Sequence, residues 1–347
     1  MAQSPPEALL PYHFDLPSEL VAQQPLAQRD GGRLLVVRGG ALEDRAFADL
    51  DQLLSPGDLM VVNDSRVMPS RCWVERTSGG RVEILFLEPG PGPVEVMLRP
   101  GRRLRVGEVL HGPEGERVEL LEPRPDGTWR VQTSPEPQAL MDRLGQMPLP
   151  PYIRRPANQS DRERYQTLFA QPPGSAAAPT AGLHFGAELL ERLQRRGVQL
   201  ATVTLHVGPG TFRPLRDDDL ERGELHGERY SVPVATVQAI QAARARGGKV
   251  VAVGTTTVRA LEAATPAGSD LPTASSGVTR LFLREGDRLR VPDALITNFH
   301  LPGSSLILLV AAVLGRERLL EVYGHAISRR YRFYSYGDAM LVLPAPS

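Results

Sequence analysis

Residues 71–133 alternate apolar and polar positions in short runs: CWVER, RVEILFLE, PVEVMLR, LRVGEVL, RVELLE and TWRVQT. Turn-forming clusters separate them: SGG, PGPGP, RPGR, HGPEGE and PRPDG. Period-two alternation marks strands with one buried face. Roughly six such strands joined by tight turns predict a small antiparallel barrel or sandwich. We place it as an insertion over residues 66–149, between a first part at 1–65 and a second at 150–347.

Outside the insertion the periodicity changes. VQLATVTLHV (198–207) reads as a strand with Val203, Leu205 and Val207 on one face and Thr204 and His206 on the other. Ahead of it, Phe185, Leu189, Leu190 and Leu193 form a helical stripe that Gly197 can close. KVVAVGTTTVRALEAA is a strand, a glycine, a threonine run and a helix. DALITNFHLPGSSLILLVAAVLG repeats that plan, with Ser304 or Ser305 as helix cap. Such alternation predicts an α/β fold: a mostly parallel sheet with flanking helices, interrupted by the barrel. Ligands of such sheets bind at the carboxyl edge of the strands. His206, Thr255 to Thr257, Asn298 and His300 are all expected there.

Composition narrows the chemistry. Of 347 residues, 40 are basic and 40 acidic, so the chain carries no net charge, which argues against non-specific coating of nucleic acid. Lys249 is the single lysine, in a setting that reads as the turn before a strand, so Schiff-base chemistry has one candidate. Cys72 is the single cysteine, which excludes an internal disulfide and a cysteine-based metal cluster. None of the 7 histidines forms an H-x-x-x-H pair, and a metal site is not expected. MAQSPPEALL does not read as a secretion signal, and LILLVAAVL is too short to cross a bilayer. The expectation is a cytoplasmic enzyme.

Several short motifs carry chemistry. PTAGLHF (179–185) offers Thr180 as a cap or anion site, Gly182 for close approach, and His184; a plain helix cap explains it equally well. HVGPGTF brings Gly208, Gly210 and Thr211 beside His206, though a tight turn also suffices. VGTTTVR supplies Thr255, Thr256, Thr257 and Arg259 at a helix start, suited to a carboxylate, phosphate or ribose hydroxyl. TNFHLP places Asn298 and His300 just past a strand. Asp64 and Arg66 end the strand of LLSPGDLMVVNDSRVMPSR, as an ion pair or facing substrate. Arg329, Arg330 and Arg332 interleave with aromatic residues, Tyr336 among them, which suits phosphates and stacked bases or an inward-packed amphipathic element. Arg99, Arg102, Arg103 and Arg105 form a second basic stretch on the barrel.

Taken in order, YHFDLPSELVAQQPLAQRDGGRLLVV, LLSPGDLMVVNDSRVMPSR, MPLPPYI, GSAAAPTAGLHF, VTLHVGPGTFRPL, VGTTTVRALE, LITNFHLPGSSLILLVAAVLG and YRFYSYGDAML resemble the S-adenosylmethionine:tRNA ribosyltransferase-isomerase family of queuosine biosynthesis. The resemblance spans both ends of the chain and is least in the barrel. It implies an α/β domain interrupted by a β-barrel. It implies two substrates: a tRNA bearing 7-aminomethyl-7-deazaguanine at the wobble position, and S-adenosylmethionine as ribosyl donor. Epoxyqueuosine-tRNA, adenine and methionine are the implied products, and no metal is implied; beside the resemblance, a monomer without a prosthetic group is expected. The implied chemistry needs a base for the ribose 5′ proton and an acid for departing adenine. His184, His206 and His300, drawn into one pocket with Thr180, Gly208 and Asn298, are the expected acid–base groups, with Asp64 and Glu228 as carboxylate alternatives. The methionine carboxylate suits VGTTTVR. The tRNA is expected on Arg99, Arg102, Arg103, Arg105, Arg329, Arg330, Arg332 and Tyr336. Arg154 stands where an acidic residue is usual and Gly303 where a charged one is common; Tyr230 is displaced by one from its motif. Two rivals stand beside this reading. A Rossmann-type methyltransferase lacks its glycine-rich turn and acidic ribose clamp here. A non-catalytic RNA-binding protein would leave S-adenosylmethionine unconsumed.

Overall fold

The computed structural model describes residues 6–101, 103–208, 210 and 215–344. The expected residues Arg102 and Thr211 lie outside the described residues. The first strands are β1 (Arg33–Arg38), β2 (Ala41–Ala46), β3 (Leu59–Asn63) and the short β4 (Arg66–Val67). Six follow in the insertion: β5 (Arg71–Arg76), β6 (Arg81–Phe86), β7 (Val94–Arg99), β8 (Val109–His111), β9 (Arg117–Pro123) and β10 (Trp129–Ser134). The rest are β11 (Pro173–Ser175), β12 (Gln199–Leu205), β13 (Glu228–Val232), β14 (Val250–Val253), β15 (Ser275–Thr279), β16 (Ala294–Asn298) and β17 (Ala339–Leu343).

Strands β5 to β10 close into an antiparallel barrel in the order β10-β7-β6-β5-β8-β9. Their alternation does what the sequence pattern requires: Val82, Ile84 and Phe86 of β6 and Val94, Val96 and Leu98 of β7 point inward. The helix Pro137–Leu144 adds Leu140 and Met141 to this core. One backbone link, the parallel pair β4–β11, ties the barrel's neck to the sheet domain, and the antiparallel bridge between Arg71 and Gln146 holds the two chains of the neck together.

The remaining strands form one sheet of nine, ordered β15-β13-β12-β3-β14-β16-β17-β1-β2. Its centre, β12-β3-β14-β16, is parallel. Strands β3, β14 and β16 are buried along their whole length, hence their unbroken apolar runs. The flanks depart from the mostly parallel expectation and make the sheet mixed. Between β16 and β17 the chain runs through two helices, Ser305–Leu314 and Arg316–Ser328. One helix returns the chain for a parallel strand. A second reverses it again, so β17 runs antiparallel to β16. On the other flank β13 turns back against β12, and β15 against β13. Among the described residues, no helix is long and apolar enough to cross a membrane.

Gly145 marks where the barrel's helix meets the neck. A Cβ there would lie 1.9 Å from the Pro69 carbonyl oxygen and 2.2 Å from that of Met141. Both obstacles are backbone, so neither can swing away. Gly145→Ala is expected to destabilise the chain by roughly 1–3 kcal/mol through overpacking, read as a lower midpoint in urea unfolding. An unchanged midpoint would show that the neck yields.

Candidate active site

The four parallel strands end along one edge, and their carboxyl ends bring the expected residues near one another. Asp64 follows β3, His206 follows β12, Thr255 to Thr257 follow β14, and Asn298 and His300 end or follow β16. Two cavities open here. A wide cleft of about 1190 Å³ lies between the barrel, which contributes Arg71, Glu83 and Arg99, and the sheet domain, which contributes Gly174, His206 and Glu228. A narrow one of about 60 Å³ is lined by Thr180, Thr255, Thr256, Arg259, Asn298 and His300. Glu228 lines the first and Arg259 the second, and these two residues form a salt bridge.

That pair is the electrostatic centre of the edge. Glu228 and Arg259 are 2% and 4% exposed. One carboxylate oxygen of Glu228 takes Arg259 Nη1, and the other accepts from the Gly208 amide (2.9 Å) and faces His226 Nε2 (3.2 Å). Burial alone would push this carboxyl up. The Arg259 guanidinium, His226 and the Gly208 amide outweigh burial and hold it down, at about 2. Glu228 is therefore ionised and occupied by its partners, with no proton to give. Its work is to hold Arg259. The Leu281 carbonyl accepts from Arg259 Nε (3.2 Å), and Nη2 has no partner among the described residues.

The three histidines do not share one pocket. His184 ends a single 3₁₀ turn, Thr180–His184, just ahead of the α-helix Ala187–Arg195. Its ring stacks on Phe47 (4.8 Å between centroids) and its Nε2 receives the Asn298 side-chain amide (3.0 Å). It lines neither cavity, because that stack faces it into the core, and burial pushes it down to about 4. His300 borders the narrow cavity, bonded through Nε2 to Thr297 Oγ1 (2.9 Å), and burial pushes it to about 3. His206 lines the wide cleft and is half-buried. Burial and Arg229 lower its pKa while Asp64 opposes them, so the ring is neutral near pH 7. Gly174 (φ +143°) makes room for it: a Cβ there would come within 2.7 Å of Nδ1. Asp64 accepts from Thr204 Oγ1 (2.7 Å) and acts on His206 through its charge.

Several other expected residues have structural work instead. Gly182 is packed on Thr167, whose methyl would lie 2.8 Å from an added Cβ. Thr257 donates to the Val253 carbonyl one turn back (2.7 Å). Arg66 is exposed and donates to the Ala170 carbonyl (3.3 Å), not to Asp64. Gly210 does border the cleft, against His226. Tyr336 is 5% exposed with its hydroxyl on Asp161, so its ring is not free to stack on a base. Arg332 is tied to the Gln24 carbonyl and lowered by burial. Arg329 and Arg330 are exposed, but Arg329 sits 3.8 Å from Asp44 of β2. Strand β2 is the edge strand opposite β13 and Glu228, so this cluster lies across the sheet from the cleft. Arg99 lines the cleft, and Arg103 and Arg105 are exposed on the same barrel.

Sequence reasoning passed over His226, Gly174 and Tyr152. The LHGERY motif held the signal for His226, two residues before Glu228. Tyr152 follows the MPLPP run and packs on Tyr334 (4.5 Å), both lining the narrow cavity.

Residues 9–342 match the family described as "Queuosine biosynthesis protein". The chain is 51% identical over 338 residues to an S-adenosylmethionine:tRNA ribosyltransferase-isomerase of Gloeobacter violaceus, covering 96% of this chain and 95% of that one. A Geobacter sulfurreducens protein of the same name is 47% identical over 338 residues, covering 95% and 98%. The crystal structure of S-adenosylmethionine tRNA ribosyltransferase from Thermotoga maritima is 35% identical and covers 96% of this chain and all of that one, with a TM-score of 0.55.

His184 and His300 are held neutral below the ordinary histidine value, so the unfolded chain binds their protons first. Their contribution is complete above about pH 6.5 and drains away as pH falls towards the folded values. Urea midpoints are expected to drop between pH 6.5 and 5, above the range in which Glu228 titrates. His300→Gln should flatten that slope. An unchanged slope would mean that this ring does not stay neutral in the fold.

Proposed function

This chain belongs to the queuosine-biosynthesis family of S-adenosylmethionine:tRNA ribosyltransferase-isomerases, and from that premise we propose that its wide cleft joins the two substrates. It is a tRNA-modifying transferase-isomerase. The nucleobase acted on is 7-aminomethyl-7-deazaguanine at the wobble position, and the ribosyl carbons of S-adenosylmethionine end as an epoxycyclopentane on its amine. A tRNA substrate places the enzyme in the cytoplasm, where it works as a monomer without a prosthetic group.

One observation carries this reading: of the three candidate histidines, His206 is the one that lines the cleft, and it does so as a neutral ring. A neutral imidazole accepts the proton from the ribose 5′ carbon, which the adjacent sulfonium acidifies. Adenine leaves as its ring takes a proton, and methionine leaves with the electrons of the carbon–sulfur bond. The amine exchanges one N–H for an N–C bond, and the positive charge of the sulfonium departs as one proton. Asp64 steadies the imidazolium formed on the way.

The alternative of methyl transfer predicts S-adenosylhomocysteine. Adenine and methionine are expected in equal amounts, and only with tRNA carrying the free aminomethyl group, by chromatography of a single turnover. S-adenosylhomocysteine in their place would overturn the assignment. His206→Ala should slow that turnover by about 10²–10⁴ with tRNA affinity preserved; a near-normal rate would remove His206 as the base.

The RNA grip is expected on the barrel side. Arg99→Ala should weaken tRNA binding and flatten its dependence on salt, since each lost phosphate contact lowers the slope by about one. The Arg329→Ala, Arg330→Ala double variant should do neither. The reverse result in a salt series of filter-binding curves would move the RNA face to the far edge of the sheet.

A further inference from the structure

The narrow cavity holds three side-chain atoms that are buried without a hydrogen-bond partner among the described residues: Arg259 Nη2, Thr256 Oγ1 and Asn298 Oδ1. Buried polar atoms are ordinarily paired, so three around one small space indicate a ligand that completes them. Their chemistry is divided. Arg259 Nη2 only donates, and Thr256 stands in the first turn of the helix Thr255–Ala263, whose amides favour negative charge. Asn298 Oδ1 only accepts.

The orientation of Asn298 is fixed by its other end. Its Nδ2 donates to the Tyr334 carbonyl (3.0 Å), which demands the amino group on that side, and its second proton meets His184 Nε2. Tyr334 itself is held at φ +72°, an unfavourable value for a tyrosine. The amide therefore cannot turn over, and Oδ1 remains an unmet acceptor. A phosphate would satisfy the donors and be repelled by this oxygen. A group that carries a carboxylate and an ammonium on one carbon satisfies both.

We infer that the narrow cavity is the subsite for the amino-acid end of S-adenosylmethionine: the α-carboxylate against Arg259 Nη2, Thr256 and the helix start, and the α-ammonium on Asn298 Oδ1. This rests on the reading that S-adenosylmethionine is the co-substrate. The placement is consistent with the cleft, because Val207 lines the narrow cavity while its neighbours His206 and Gly208 line the wide one. The sulfonium and ribose then cross from one to the other past the Glu228–Arg259 pair. Glu228 serves as a positioning residue, keeping Arg259 Nη2 turned to the carboxylate.

The experiment is calorimetric titration of the full chain with S-adenosylmethionine and with 5′-methylthioadenosine, which lacks the amino-acid end. Asn298→Ala should weaken the first by about tenfold or more and leave the second within about twofold. Thr256→Val, which keeps the side-chain shape, should act in the same direction by a smaller factor. On the wild-type chain, L-methionine should displace S-adenosylmethionine but not 5′-methylthioadenosine, and N-acetylmethionine should displace neither. Equal weakening of both ligands, or of neither, overturns the subsite, as does competition by N-acetylmethionine. A wild-type chain that binds 5′-methylthioadenosine but not S-adenosylmethionine also overturns it. Failure to bind either ligand would sink the co-substrate reading itself, and the subsite with it.

Discussion

A buried ion pair, Glu228 with Arg259, sets the arrangement of the whole carboxyl edge. Taking two charges out of water is costly, and the cost is recovered only when each finds further partners. Glu228 finds the Gly208 amide and His226, and Arg259 finds the Leu281 carbonyl. These bonds draw the β12 exit loop, the β13 start and the helix after β14 to one point. The pair also forms the wall between the two cavities. Breaking it would strand a charge in the interior and loosen both cavities together.

The sheet and the barrel are matched to this arrangement. Parallel strands at the centre supply element ends that converge, and the barrel supplies a facing wall with charges of both signs. Arg71 and Glu83 are themselves paired at 3.4 Å across neighbouring barrel strands. The wall is therefore locally balanced, and Arg99 stands out on it as an exposed cation. A chain with no net charge can in this way still present phosphate-binding groups at one place.

What could be read from the sequence divides along the line between local and distant causes. The barrel strands were legible because alternation is a local signal, and β3, β14 and β16 because two-sided burial demands continuous apolar runs. His206 was legible for the same reason: it extends the Thr204 face of β12 past the strand's end. The direction of His184 was not, since Phe47, the ring that turns it inward, is 137 residues away in the chain. Glu228 read as a free acid because its partner Arg259 lies 31 residues on. The rings of YRFYSYGD read either as a base-stacking surface or as an inward-packed element, and burial of Tyr331, Phe333, Tyr334 and Tyr336 decides for the second. The segment is irregular, and no period in it reveals which side faces the core. The two-helix return that reverses β17 was likewise hidden, because the apolar run 306–314 shows one buried helix and carries no sign of the second, Arg316–Ser328, that turns the chain back.

Strand β17 has a further consequence for how the protein is made. It lies between β16 and β1, pairing antiparallel with one and parallel with the other. Every other strand precedes it in the chain. During synthesis, β1 and β2 emerge first and wait as a lone hairpin, with no neighbour on the inner side of β1. They cannot join the sheet until β17 arrives, some 300 residues after β1 begins. For that whole interval the Leu34–Val37 strand, apolar throughout, has an open edge. A nascent chain of this architecture is thus exposed to wrong pairing at β1, and chaperone cover there would matter until β17 has emerged.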